Sequence, residues 1–145
     1  NKIFDYRGET VTDPSRSTIT AASRLEKGVE KQVEIFGESV RHSYEEGPED
    51  TRHIKKWLAN MFGDYYTRKG LSVAHREMIT FCFLAAQGGC EPQLKAHVEG
   101  NLNVGNSKQY LINIASQCVP YIGYPRTLNA LRCIQDGYTA WEAKQ

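Results

Sequence analysis

Apolar and polar positions alternate along this chain with helical spacing, and the densest apolar stretch covers residues 79–86. A span across a bilayer needs about 20 apolar residues, so this stretch is too short for one. It reads as a helix buried on most sides in a core. Ser72 suits its N-cap, and Glu77 falls in the early turns, where the helix dipole favours a carboxylate. Gly88 and Gly89 suit a C-terminal stop that needs positive φ. Pro92, beside Glu91, suits the first turn of a second helix. In that helix Leu94, His97, Val98 and Asn101 share one face, which turns His97 inward toward the buried helix. Gly105 ends it.

The flanking segments follow the same periodicity. Residues 18–42 are helical in composition, with Leu25, Val29, Val33 and Phe36 as an apolar stripe and Gly37 as a point of division. Residues 45–50 form a polar link containing Gly47 and Pro48. A helix over about residues 51–61 places Ile54, Trp57, Leu58 and Met61 on one face. Residues 63–70 are an aromatic and basic connector. Asn106 or Ser107 caps a further helix, carrying Tyr110, Leu111, Ile114, Ala115 and Cys118 inward, and Pro120 with Gly123 ends it. Pro125 opens the last helix, striped by Leu128, Leu131, Ile134, Tyr138 and Trp141. Trp57 and Trp141 read as core or interface residues. With no strand alternation, internal repeat or low-complexity tract, the pattern is all-α, with about six or seven helices and short connections. Residues 1–17, rich in turn formers and charge, read as an extended arm ahead of one domain over residues 18–145.

Composition narrows the function classes. The 145 residues suffice for one domain with a real core. Eighteen basic and 17 acidic residues leave a formal charge of +1, which argues against a generic nucleic-acid or anionic-membrane binder. Cys82, Cys90, Cys118 and Cys133 include no Cys-x-x-Cys pair, and the histidines add no zinc-finger spacing, so no metal site is expected. Free thiols suit a reducing cytoplasm, the expected location. The chain begins at Asn1 without Met, which leaves a preceding signal peptide or tag open.

Taken in order, TRKGLS, REMIT, PQLKAHVEGNLNVG and SQCVPYIGYPRTLNAL resemble the carboxymuconolactone decarboxylase family, within an alkylhydroperoxidase D-like superfamily. The resemblance runs from about Arg24 to the C-terminus, loosely over the early helices. It implies an all-helical domain built on a central antiparallel helix pair. It also implies a homotrimer or homohexamer with sites near subunit contacts, and no cofactor. One branch of the family decarboxylates a lactone acid. The other reduces peroxides through Cys-x-x-Cys-x-x-x-His. Here those positions hold Cys90, Gln93 and His97, so the second sulfur is missing. A dithiol cycle needs two sulfurs close enough to bond. The standard chemistry of that branch is therefore not expected, unless another cysteine folds close to Cys90.

His97 is the leading candidate, because imidazole exchanges protons near neutrality and the resemblance supplies a carbon that needs one after CO2 leaves. A core histidine satisfied by a carboxylate is the competing reading. Glu77, one helix earlier, is the expected orienting partner. Cys90 at a helix start is a candidate thiolate for one-cysteine peroxide chemistry, or a bystander. Arg68 and Arg126 offer planar forks for a substrate carboxylate, as does the charge of Lys69, and Tyr121 and Tyr124 flank Gly123 as candidate pocket walls. Three functions stay open. The first is a cofactor-free lyase acting on a small carboxylated lactone or related acid. The second is a peroxide reductase using Cys90 and His97. The third is a non-catalytic oligomer that binds a small ligand.

Overall fold

The computed structural model describes residues 16–145, which form six α-helices, two single 3₁₀ turns and no strand. The helices are α1 (Arg24–Phe36), α2 (Arg52–Tyr66), α3 (Val73–Gln87), α4 (Glu91–Asn103), α5 (Lys108–Ile122) and α6 (Tyr124–Glu142). The 3₁₀ turns, Glu38–Val40 and Ser43–Glu45, join α1 to α2. The N-terminal arm expected over residues 1–17 falls, up to residue 15, outside the described residues. Where the description begins, the Arg16 carbonyl accepts from the Lys69 backbone N–H at 3.0 Å.

The central pair is α3 and α4. Ser72 caps α3 by accepting from the His75 backbone N–H at 3.2 Å. Gly88 closes the helix with φ of 68°, a conformation that costs glycine little. Pro92 lies in the first turn of α4. The two helices run antiparallel. Cys90, at the start of α4, reaches back to the Leu84 carbonyl near the end of α3, while Asn101 and Asn106 reach the Glu77 and Ala74 carbonyls near its start.

Two apolar clusters flank this pair. The larger joins Phe81 and Ala85 to Leu94 and Val98, with Leu111 of α5 and Ile134 of α6. The smaller joins Ile35 of α1 to Phe62 and Tyr66 of α2, with Phe36 and Val104 against it. Asn103 ties the two halves: its amide donates to the Ile35 carbonyl at 2.8 Å, and its carbonyl oxygen accepts from Trp141 Nε1 at 2.8 Å.

Four expectations need correction. The first helix begins at Arg24 rather than residue 18 and stops at Gly37, and its buried face is Gly28, Val29, Gln32 and Ile35. The second helix runs on into the expected connector, as far as Tyr66. Its buried face is Ala59, Phe62, Gly63 and Tyr66, so Trp57 is 62% exposed, Ile54 is exposed too, and Leu58 is exposed at a cavity wall. Small residues explain this. A Cβ on Gly28 would lie 1.8 Å from the Ala59 carbonyl oxygen, and one on Gly63 would lie 2.2 Å from the Arg24 carbonyl oxygen. The helices pack backbone to backbone there, and that contact fixes which side of α2 is buried. Finally, Pro120 sits inside α5 instead of ending it. It lies in the last turn, so it forgoes one hydrogen bond, to the carbonyl of exposed Ser116.

Candidate functional site

Glu77 and His97 meet across the central pair. His97 Nδ1 lies 2.8 Å from Glu77 Oε2. The Glu77 side chain is fully buried, and that of His97 is 16% exposed. A proton on Nδ1 donates to the carboxylate, which fixes the ring and leaves Nε2 as the working nitrogen. Phe36 of α1 meets the imidazole edge-on, with centroids 5.2 Å apart. The ring is thus clamped between a carboxylate and an aromatic edge.

Glu77 needs room and a fixed backbone, and α4 supplies both. A Cβ on Gly100 would come within 2.8 Å of Glu77 Oε2 and 2.7 Å of Ile35 Cγ2, so only glycine leaves space for the carboxylate. Buried Asn101 donates both amide hydrogens, to the His97 carbonyl at 2.7 Å and the Glu77 carbonyl at 3.1 Å. Its own oxygen accepts from Asn106 at 2.8 Å. This satisfied network holds the two helices in one register beside the His97–Glu77 contact. Glu77 Oε1 has no hydrogen-bond partner among the described residues. Tyr66 stands near it, with its hydroxyl 2.6 Å from Thr80 Oγ1. Burial, and then the Glu77 charge, push the Tyr66 phenol well above its usual range, so it stays protonated as a potential donor.

His97 lines a cavity of about 370 Å³ between α1, α2 and α4. Its walls are Phe36, Val40, Leu58, Phe62 and Ala96, with Gln32, Ser43, Gln93 and Glu99 as polar members. Small-molecule sites of this kind commonly occupy about 300–1,000 Å³, mostly apolar with a few placed polar groups. Glu99 is paired with Lys144 at the surface. Among the described residues no Lys or Arg lines the cavity.

The remaining candidates lie elsewhere. Cys90 is buried, its thiol donates to the Leu84 carbonyl at 3.4 Å, and it lines a separate cavity of about 10 Å³ with Arg126. Arg126 donates to the Gln87 carbonyl at 2.9 Å, at the α3–α4 turn. Arg68 offers its carbonyl to Arg76, and its guanidinium acts with burial to lower the Arg76 pKa; burial is the larger cause. Tyr121 is 88% exposed, and Tyr124 is exposed beside it in sequence. All four cysteines are free thiols, and Cys133 Sγ lies 3.9 Å from the carbonyl of Glu91, the neighbour of Cys90 in sequence. Cys82 neighbours Cys118 instead, and burial followed by that neighbour pushes its thiol up to about 12. Burial likewise raises Cys133. Among the described residues no group of three or more His, Cys, Asp or Glu is placed to hold a metal ion. None of the described helices is long and apolar enough to cross a membrane.

Sequence reasoning overlooked Gln32, Phe36 as a wall rather than core, and Gly100. Gln32 carried a usable signal. It lies three residues after Val29 and four after Gly28, a polar residue inside a buried stripe.

The fold and site define an all-helical protein with a histidine–carboxylate pair, buried across a helical hairpin and open to a largely apolar cavity. The sequence model of the carboxymuconolactone decarboxylase family matches residues 53–136, which contain both members of the pair, and the chain belongs to that family. It is similar to a 4-carboxymuconolactone decarboxylase of Acinetobacter baylyi (strain ATCC 33305 / BD413 / ADP1). The two are 26% identical over 115 residues, covering 78% of this chain and 85% of the relative.

Proposed function

We propose that the protein is a cofactor-free lyase that removes CO2 from a small carboxylated lactone or related acid. The carbon–carboxylate bond breaks, CO2 departs, and the electron pair passes into the conjugated carbonyl system of the ring. His97 Nε2 then delivers a proton to carbon, and water reprotonates the imidazole. Glu77 holds the ring in place and complements the charge of its protonated form. The observation that carries this reading is the 2.8 Å contact between His97 Nδ1 and Glu77, which leaves Nε2 for the cavity. The largely apolar walls favour loss of a charged carboxylate as neutral CO2. Peroxide reduction by Cys90 with His97 has less support, because the two residues line different cavities.

The direct test is 4-carboxymuconolactone with the purified protein, followed by CO2 release. Turnover on the order of 1–10³ s⁻¹ is expected. Release no faster than in buffer would remove this substrate assignment.

The same reading makes the protein a homotrimer or homohexamer. Phe83, Tyr121, Tyr124 and Leu128 are large apolar side chains left exposed around α3, α5 and α6, and Ile54 and Trp57 are exposed on α2. Apolar surface of this extent suits burial against further copies of the chain. Light scattering is expected to give three or six times the chain mass of 16.4 kDa. A monomeric mass at micromolar concentration would contradict it.

A further inference from the structure

Gln32 is the most deeply buried polar group of the cavity. It is only 5% exposed, it comes from the buried face of α1, and it lines the same cavity as His97. Its side-chain amide makes no hydrogen bond to any described residue, whereas Asn101, buried between α3 and α4, is fully satisfied. The amide is open to the cavity, so it meets solvent there in place of a protein partner. A ligand bound in the cavity would take the place of that solvent as the amide's partner.

The chemistry of the neighbours defines that ligand group. No cation among the described residues lines this cavity, so it holds no fork for a carboxylate at this wall. An amide N–H suits an uncharged acceptor. His97 acts on a carbon whose electrons pass into a conjugated carbonyl, and the carbonyl oxygen gains charge as they do. A neutral donor in the same cavity as the imidazole meets that demand without the cost of pairing a full charge.

We propose that Gln32 is a substrate-binding residue that donates its amide N–H to an uncharged, conjugated lactone or ester carbonyl of the ligand bound beside His97. The assignment rests on the cavity's being the substrate site. It adds a specificity rule: the site selects ring compounds with a neutral carbonyl over rings of the same size without one.

The test uses the full chain and two uncharged probes, the unsaturated lactone 2(5H)-furanone and 2,5-dihydrofuran, which lacks the carbonyl. Saturation-transfer NMR titrations give both affinities. The wild type is expected to prefer the lactone by about two- to tenfold, the effect of one neutral hydrogen bond. Gln32→Met, which keeps the volume and removes the donor, is expected to abolish the preference while its thermal midpoint stays level or rises. Gln32→Asn, which withdraws the amide by one methylene, serves as the second variant and is expected to lose the preference too. A preference that persists in both variants overturns the proposal, as does its absence in the wild type. A fall in the Gln32→Met midpoint with the preference intact makes the residue structural and also overturns it. His97→Ala separates the two readings, since it is expected to keep the lactone preference. A wild type that discriminates through Gln32 yet releases no CO2 defeats only the lyase reading. One that releases CO2 with no Gln32-dependent discrimination defeats only this proposal.

Discussion

His97→Ala is expected to lower turnover of a carboxylated lactone by about 10²–10⁴-fold at saturating substrate, the usual contribution of one positioned acid–base group. The loss should fall on kcat, because the imidazole acts in the proton-transfer step and the cavity walls do most of the binding. Removing the ring leaves space beside Phe36 and Glu77, open to the cavity. Added imidazole is therefore expected to restore part of the rate in the variant and to do nothing for the wild type. That rescue separates chemistry from support, since a histidine that merely filled the core would be replaced structurally and not kinetically. Unchanged saturated turnover in His97→Ala would end the proton-donor role. A rate lost with no rescue, in a protein whose melting point has also dropped, would point to the Glu77 contact as a stabilising pair instead.

The central hairpin was legible because each of its signals is local. Ser72, the apolar run, the glycine pair and Pro92 act within a few residues of themselves, and the helices start and stop where those signals put them. The meeting of Glu77 with His97 followed from the same register, once the two helices were taken as neighbours. The outer wall of the cavity was not legible. Periodicity weights bulky apolar residues, so it chose Ile54, Trp57 and Leu58 as the inner face of α2. The actual contact is made by Gly28, Ala59 and Gly63, whose value lies in having little or no side chain. The same weighting passed over Gln32. Arg68, Arg126, Tyr121 and Tyr124 were chosen for their chemistry alone, and chemistry does not say which end of a helix a cavity occupies. The cavity lies beside α1 and α2, whereas Arg126 lies at the α3–α4 turn and the two tyrosines flank Gly123, between α5 and α6.

Gly28→Ala tests that wall directly and is expected to carry a large stability effect for a single methyl group. The added Cβ would lie 1.8 Å from the Ala59 carbonyl oxygen and 2.8 Å from the Gly63 nitrogen. Both are backbone atoms, so no side chain can rotate away, and α1 and α2 must separate. Overpacking of this kind costs about 3 kcal/mol at the upper end of its usual range, and the better helix propensity of alanine returns about 1 kcal/mol. The net loss of about 2 kcal/mol corresponds to a melting point lower by about 5–10 °C in a domain of this size. Function is expected to fall further than stability does. Gln32 and Phe36 lie one and two turns beyond Gly28 on α1, and Leu58 and Phe62 face them from α2, so the displaced helices carry the cavity walls with them. The edge of Phe36 would leave the imidazole, and the ring would lose one side of its clamp. Calorimetry with a CO2-release assay on the same sample reads both effects. Wild-type stability in Gly28→Ala would mean that the two helices part without cost, and the close contact would then not be what orients α2. A lower melting point with full turnover would mean that the walls move without disturbing His97, which would place the working geometry in the α3–α4 pair alone.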